Sequence, residues 1–222
     1  MSKRKMTNKN ISKQTLLPLF ATPLYISELE RDFTSEELEF IIDKKQHYII
    51  NFGKNKTTKD GYILENKKLK NLKEEILIKI NQYFQLVENS EDKVNLYITQ
   101  SWANFNEPNT SHQEHFHWNS YLSGVLYINA IENVDYIRFI DSKYATFQFD
   151  HKKNYNIYNS GVWDLPVKTK QILIFPSYLR HSVLENCSNH ERISLSFNVF
   201  IKGTLGNVEY STELKIGEIH DR

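Results

Sequence analysis

In the segment RISLSFNVF, residues 192 to 200, the alternation is strict. Arg192, Ser194, Ser196 and Asn198 fall on one face of an extended chain, and Ile193, Leu195, Phe197 and Val199 on the other. Such a pattern is that of a strand with one face against an apolar core. A period near two recurs from Val94 onward, in short stretches punctuated by Asn, Asp, Ser and Pro. It predicts strands near 94–105, 121–129, 135–140, 145–150, 162–164, 171–176 and 192–201. Short strands so punctuated suit a mainly β double-sheet sandwich or jelly roll rather than a parallel sheet.

Before Val94 the period is helical. TSEEL supplies a capping box, with Thr34 as N-cap and Glu37 three residues on. The helix that follows, to roughly Asn51, would place Leu38, Ile41, Ile42 and Ile49 on one face. GKNKTTKDG, residues 53–61, is a loop by composition. A second helix, about Asn66 to Glu88, repeats Leu69, Leu72, Ile76, Ile80, Tyr83 and Val87 at core spacing, a stripe suited to covering a sheet. LFATPLYISEL, residues 19–29, reads as a short strand interrupted at Pro23. The expected organisation is a disordered basic tail at 1–14 and a single domain at 15–222. Its helical buttress spans about 34–90 and its β-barrel core about 94–201.

Composition narrows the function classes. A formal net charge of +1 over 222 residues gives no reason to expect nucleic acid as a partner. No segment approaches the ~18 consecutive apolar residues of a membrane span, and LLPLF is too short for a signal-peptide core. The single cysteine, Cys187, excludes an internal disulfide and fits a reducing compartment, so a cytoplasmic location is expected. Oligomeric state is open.

Chemistry concentrates in two places. HQEHFH, residues 112–117, carries three histidines. On a strand, His115 and His117 share a face, as two ligands of one metal must, whereas His112 and Glu114 have the other parity and would point away. A third ligand must come from elsewhere, and His181 follows the apolar strand ILIFP and its Pro-Ser turn. His47, His151, His190 and His220 lack partners at metal spacing and are expected in solvent. The second place is the polar face of 192–198. A solvated edge strand would normally carry Lys, Glu and Thr; one Arg followed by Ser, Ser and Asn suits a cavity holding an anion. The planar fork of Arg192 can meet a carboxylate with two parallel hydrogen bonds, and Ser194 on the same face can add a third.

His115-Phe116-His117, then His181, then Arg192-Ile193-Ser194 resembles the Fe(II)- and 2-oxoglutarate-dependent oxygenase superfamily. The stretches SWANF, HFHWNSYLSGVLYI, IRFIDSK, ILIFPSYLRHSV and ERISLSFNV are similar to those of a microbial and phage-encoded group within it. The resemblance covers roughly residues 95–200 and LFATPLY. It implies a double-stranded β-helix (a cupin-like jelly roll) with N-terminal buttressing helices, holding Fe(II) through His115, His117 and His181. It implies 2-oxoglutarate as co-substrate, its far carboxylate on Arg192 and Ser194, and O2 as oxidant. Asn104 and Tyr127 are further candidates for the co-substrate carboxylates, with Ser123 and Asn198 weaker candidates for the same cavity. Trp102, Trp118 and Trp163 are candidate walls of a substrate pocket, with buried packing expected for at least two. The aromatic stretch 144–158 falls where such barrels carry a substrate-covering insertion.

One departure concerns the metal. His117 stands where the superfamily's usual carboxylate ligand is, unless Glu114 or Asp141 supplies one. The implied substrate is a small molecule or a protein side chain. Three alternatives stay open: a three-His cupin-like dioxygenase that does not use 2-oxoglutarate, a zinc hydrolase, and a non-catalytic metal- or 2-oxoglutarate-binding module. The first two leave Arg192 without a purpose.

Overall fold

The computed structural model describes residues 15–141 and 153–217. The tail expected at 1–14, His151, His220 and the strand expected at 145–150 lie outside the described residues. Strand β1 (Tyr25–Glu28) is followed by helix α1 (Ser35–Asp43). Its capping box forms as read: Thr34 Oγ1 accepts from the Glu37 N–H at 3.2 Å, and the Glu37 carboxylate accepts from the Thr34 N–H at 2.9 Å. Arg31 holds the same carboxylate with two hydrogen bonds of 2.8 and 2.7 Å. Burial pushes the Glu37 carboxyl up, but Arg31 and the Thr34 N–H together outweigh it and hold it below its ordinary value.

The first helix is shorter than expected. It gives way to a 3-10 turn at Lys44–Gln46, and the chain then forms a hairpin of β2 (Tyr48–Ile50) and β3 (Lys56–Thr58) where helix and loop were expected. Tyr48, Ile49 and Ile50 are consecutive good strand formers, and pairing through β3 onto the sheet satisfies their backbone. Ile49 therefore leaves the helical stripe, and Ile42 is 52% exposed rather than core-facing. Helix α2 (Lys70–Val87) matches its expectation closely, burying Leu72, Ile76, Ile80 and Tyr83, with Val87 exposed at its end.

The remaining strands are β4 (Val94–Asn106), β5 (His112–His115), β6 (Leu122–Asn129), β7 (Tyr136–Ile140), β8 (Val162–Pro166), β9 (Gln171–Pro176), β10 (Arg180–Val183), β11 (Arg192–Leu205) and β12 (Leu214–Ile216). The short strands β10 and β12 were not among those expected, and β5 was read as a strand only through the spacing of its histidines. A major sheet runs β1-β9-β6-β11-β4-β3-β2, with β12 paired to β11, and a minor sheet runs β5-β10-β7-β8. The two make the jelly roll of a double-stranded β-helix.

Alternation along β11 and β6 divides the major sheet's faces. Leu195, Phe197 and Val199 of β11, with Leu122 and Leu126 of β6, share a core with Leu72, Ile76 and Ile80 of α2. Val125 and Tyr127, on the opposite face of β6, pack with Ile137 and Phe139 of β7 and Phe175 of β9. The helices thus seal one face, and the space between the sheets is left for the site. Among the described residues no helix is long and apolar enough to cross a membrane.

Two outcomes follow. Gly124 pairs with Phe197, and a Cβ there would lie 2.3 Å from that buried ring. Gly124→Ala should therefore lower stability by about 1–3 kcal/mol in urea unfolding; an unchanged midpoint would contradict the tight approach. Glu37→Gln keeps a capping side chain but loses the charge. Because the folded carboxyl is depressed, its contribution is present above the unfolded value near ~4.3 and disappears as pH falls through the folded one. The variant should thus be about 1–2 kcal/mol less stable at neutral pH, and the deficit should vanish in strong acid.

Candidate metal and co-substrate site

The minor sheet sets His181 of β10 directly opposite His115 of β5, with ring centroids 4.3 Å apart. His117 lies just past the end of β5, where its N–H donates to the Ser177 carbonyl at 3.0 Å. Its ring comes 5.1 Å from that of His115 and 5.2 Å from that of His181. One ring nitrogen from each of the three lies within 4.8 Å of the others, and among the described residues no carboxylate or thiolate joins them. Glu114 instead pairs with Arg180, and Asp141 is exposed at the end of β7.

Backbone carbonyls choose the tautomer of two rings. Nδ1 of His115 lies 2.8 Å from the Gln113 carbonyl, and Nδ1 of His181 lies 2.9 Å from the Leu179 carbonyl. A carbonyl can only accept, so each Nδ1 carries the proton and each Nε2 keeps its lone pair. Burial also pushes all three imidazoles down, His117 to about 4 and His181 well below its ordinary value. Three neutral nitrogens converging with no acid among them suit a first-row transition metal such as iron.

His112 corrects the parity argument. Between the pairs His181↔His115 and Val183↔His112 the register shifts, so three residues of β5 span two of β10. The bulge turns the His112 ring onto His115, stacked at 4.4 Å and 17°, and into the cavity. Glu114 does point away, as its parity predicts. Bulges leave no mark in a hydrophobic pattern, so the sequence could not show this one.

The other half of the site lies on the major sheet. β11 is an inner strand between β4 and β6, and its polar face is buried rather than solvated. Arg192, Ser194 and Ser196 line a cavity shared with the three histidines, Asn104, Tyr127 and Trp102. Arg192 is 3% exposed. Its Nη1 donates to the Tyr136 carbonyl at 3.2 Å and lies 3.8 Å from Asp135 Oδ1, while its Nη2 is buried with no acceptor. Burial pushes this guanidinium down, against the opposing pull of Tyr127 and Asp135. Tyr127 sits opposite Ser194, and its buried phenol is pushed well above the ordinary value, so it stays neutral.

Several expected roles change. Asn104 lines the cavity, but its amide is engaged at both ends, accepting from Thr57 at 2.9 Å and donating to Ser196 at 3.0 Å. Ser123 and Asn198 bond each other at 2.9 Å and are not cavity residues. Of the tryptophans, Trp102 lines the cavity beside His117, whereas Trp118 and Trp163 are 77% and 48% exposed, not packed. His190 is not solvated: its Nε2 lies 3.0 Å from the buried Asp135. Ser196, read on the polar face beside Arg192 and Ser194, lines the cavity with them. Sequence reading missed Asn106 and Asp135. Asn106 shares the parity of Asn104 on its strand; Asp135 left no such signal.

Comparison with known proteins bears on this arrangement. Residues 100–198 match the family model described as "Putative 2OG-Fe(II) oxygenase". No curated protein matches the sequence. Among solved structures, the chain is similar to an oxidoreductase of the 2OG-Fe(II) oxygenase family from Burkholderia pseudomallei, with TM-score 0.52 and 11% identity over 78% of this chain and 84% of that one. It is also similar to HygX from Streptomyces hygroscopicus, in a structure with nickel, 2-oxoglutarate and hygromycin B bound, with TM-score 0.51 and 10% identity over 80% and 82%. A Pseudomonas putida prolyl-4-hydroxylase gives TM-score 0.50 and 13% identity over 80% and 92%. At such identities these structures share the fold. The family match spans every residue of the histidine triad together with Arg192 and Ser194, so in this stretch the chain is similar to the 2OG-Fe(II) oxygenases that the family model describes.

Proposed function

We propose that the protein is an Fe(II)- and 2-oxoglutarate-dependent dioxygenase that oxidises a C–H bond of a small molecule or a protein side chain. In this reading His115, His117 and His181 hold the iron, and Arg192 with Ser194 binds the far carboxylate of the co-substrate. The observation that carries it is the buried Nη2 of Arg192, which has no acceptor yet lines the cavity that holds the triad. A buried guanidinium edge without a partner is costly, and a carboxylate supplies what it lacks. A cupin-like dioxygenase or a zinc hydrolase would leave that edge unsatisfied. When bound, iron, 2-oxoglutarate and O2 supply the oxidising power, with release of succinate and CO2.

The chain contributes position and charge. The carbonyls of Gln113 and Leu179 orient His115 and His181 so that both Nε2 lone pairs remain available. With no protein carboxylate among the ligands, the metal's charge is not offset by the protein, which strengthens its hold on an anionic co-substrate. Arg192 is steadied by Tyr136 and Asp135 on the far side of the sandwich, so its free edge is fixed before a ligand arrives. The neutral phenol of Tyr127 can donate to the same carboxylate. Asn104 acts on the wall, keeping Ser196 and Thr57 in place. Val125, Ile137 and Phe175 close the cavity with apolar surface and exclude water.

Anaerobic titration with Fe(II) and then 2-oxoglutarate should produce the visible charge-transfer band of the chelate. His117→Ala should abolish that band. Arg192→Ala should keep iron binding but weaken 2-oxoglutarate by about 100-fold, the loss of paired charged hydrogen bonds. Iron binding with no band in the wild type would sink the 2-oxoglutarate reading. In air, succinate formation should stop on chelation of the metal and should rise when the right prime substrate is added, which gives the screen for that substrate.

A further inference from the structure

We propose that Asn106 is a second arm of the carboxylate clamp, its Nδ2 donating to the same far carboxylate as Arg192 Nη2. The inference rests on the co-substrate reading above and adds a residue to it. Asn106 is the last residue of β4 and pairs directly with Arg192, the first residue of β11. Directly opposed residues of an antiparallel pair hold their Cβ atoms about 4.5–5.5 Å apart. Trp102, Asn104 and Asn106 follow one another at two-residue intervals along the cavity wall, so the Asn106 side chain faces the same space as Arg192.

Its surroundings show what it lacks. Asn106 is 2% exposed. Its backbone carbonyl is taken by Asn186 Nδ2 at 2.9 Å, which ties the loop before β11 to the end of β4. The side-chain Nδ2 has no acceptor, and neither has Arg192 Nη2. Buried donors are nearly always paired. Two orphaned donors on facing strands, opening into one cavity, are matched by a ligand group with two acceptor oxygens. Asn104, two residues away, already has partners on both sides of its amide, whereas the Asn106 Nδ2 has none.

The pairing of one cation with one neutral amide has a consequence for selectivity. A site that offers directed buried donors rejects an analogue lacking the acceptor, because the donors are then left unpaired. Asn106 therefore sharpens the preference for a 2-oxo acid with a second carboxylate and plays no part at the metal.

The test uses the purified full-length chain loaded anaerobically with Fe(II). Two probes are titrated: 2-oxoglutarate, and 2-oxobutyrate, which has the chelating end but no far carboxylate. Asn106→Ala should weaken 2-oxoglutarate by about 10- to 100-fold and leave Fe(II) and 2-oxobutyrate binding as in the wild type. Asn106→Asp, nearly isosteric, should weaken 2-oxoglutarate further, since it sets a carboxylate against Arg192 where the ligand's belongs. Thermal unfolding of both variants checks that the fold survives, and the aspartate variant carries the test if the alanine one does not fold. Unchanged 2-oxoglutarate affinity in both variants would overturn the proposal, and so would equal losses for both probes, which would mark a structural role. A wild type that binds neither probe would overturn the co-substrate reading itself, and this inference with it.

Discussion

A guanidinium buried between two sheets is held there by the pairing of β11 with strands on both sides. β4 and β6 satisfy the backbone of β11, so its side chains alternate between the helix-backed core and the interior of the sandwich. Leu195, Phe197 and Val199 anchor the strand from one side, and Arg192, Ser194 and Ser196 are carried inward on the other. Burying that charge is costly unless something answers it. Asp135 lies 3.8 Å away, a separation at which two charges attract by roughly 4 kcal/mol in a partly screened interior. That attraction offsets part of the cost of burial, but it acts on Nη1 and leaves Nη2 unsatisfied.

The two sheets divide the labour. The minor sheet carries His115 and His181 on adjacent strands, and the carbonyls of Gln113 and Leu179 set their tautomers. The major sheet carries Arg192, Ser194 and Ser196 on its inner face. Tyr136, at the start of β7 in the minor sheet, accepts from Arg192 in the major one, so the guanidinium is braced across the sandwich. The histidines are neutral and Arg192 is the cation among the cavity's lining residues, so the cavity's fixed positive charge sits at the Arg192 end.

Much of this was legible in one dimension because it depends on period. Strict alternation in 192–200 placed Arg192 and Ser194 on one face, and apolar repeats in 70–87 marked a covering helix. The capping box at Thr34 and Glu37 was legible too, since both partners lie within one turn. What was missed breaks a period or lies between elements. The β5 bulge reversed the facing of His112, and the β2–β3 hairpin replaced the end of a helix. The two outer tryptophans were expected inside from residue type alone, yet Trp118 follows the end of β5 and Trp163 sits on the edge strand β8, where little packs over them.

The sequence by itself determined which residues could do chemistry and which face of each long strand they would occupy, because alternation and ligand chemistry are local properties. Only the tertiary structure decided which polar groups are already satisfied. Asn104 and Asn106 have the same side chain and the same parity, two residues apart on one strand. The first bonds to Thr57 and Ser196, and the second leaves its Nδ2 beside Arg192 with nothing to receive it. That difference arises from neighbours about fifty to ninety residues away in the chain. Hydrogen-bond satisfaction is a property of the assembled neighbourhood, and no reading of residue order can supply it.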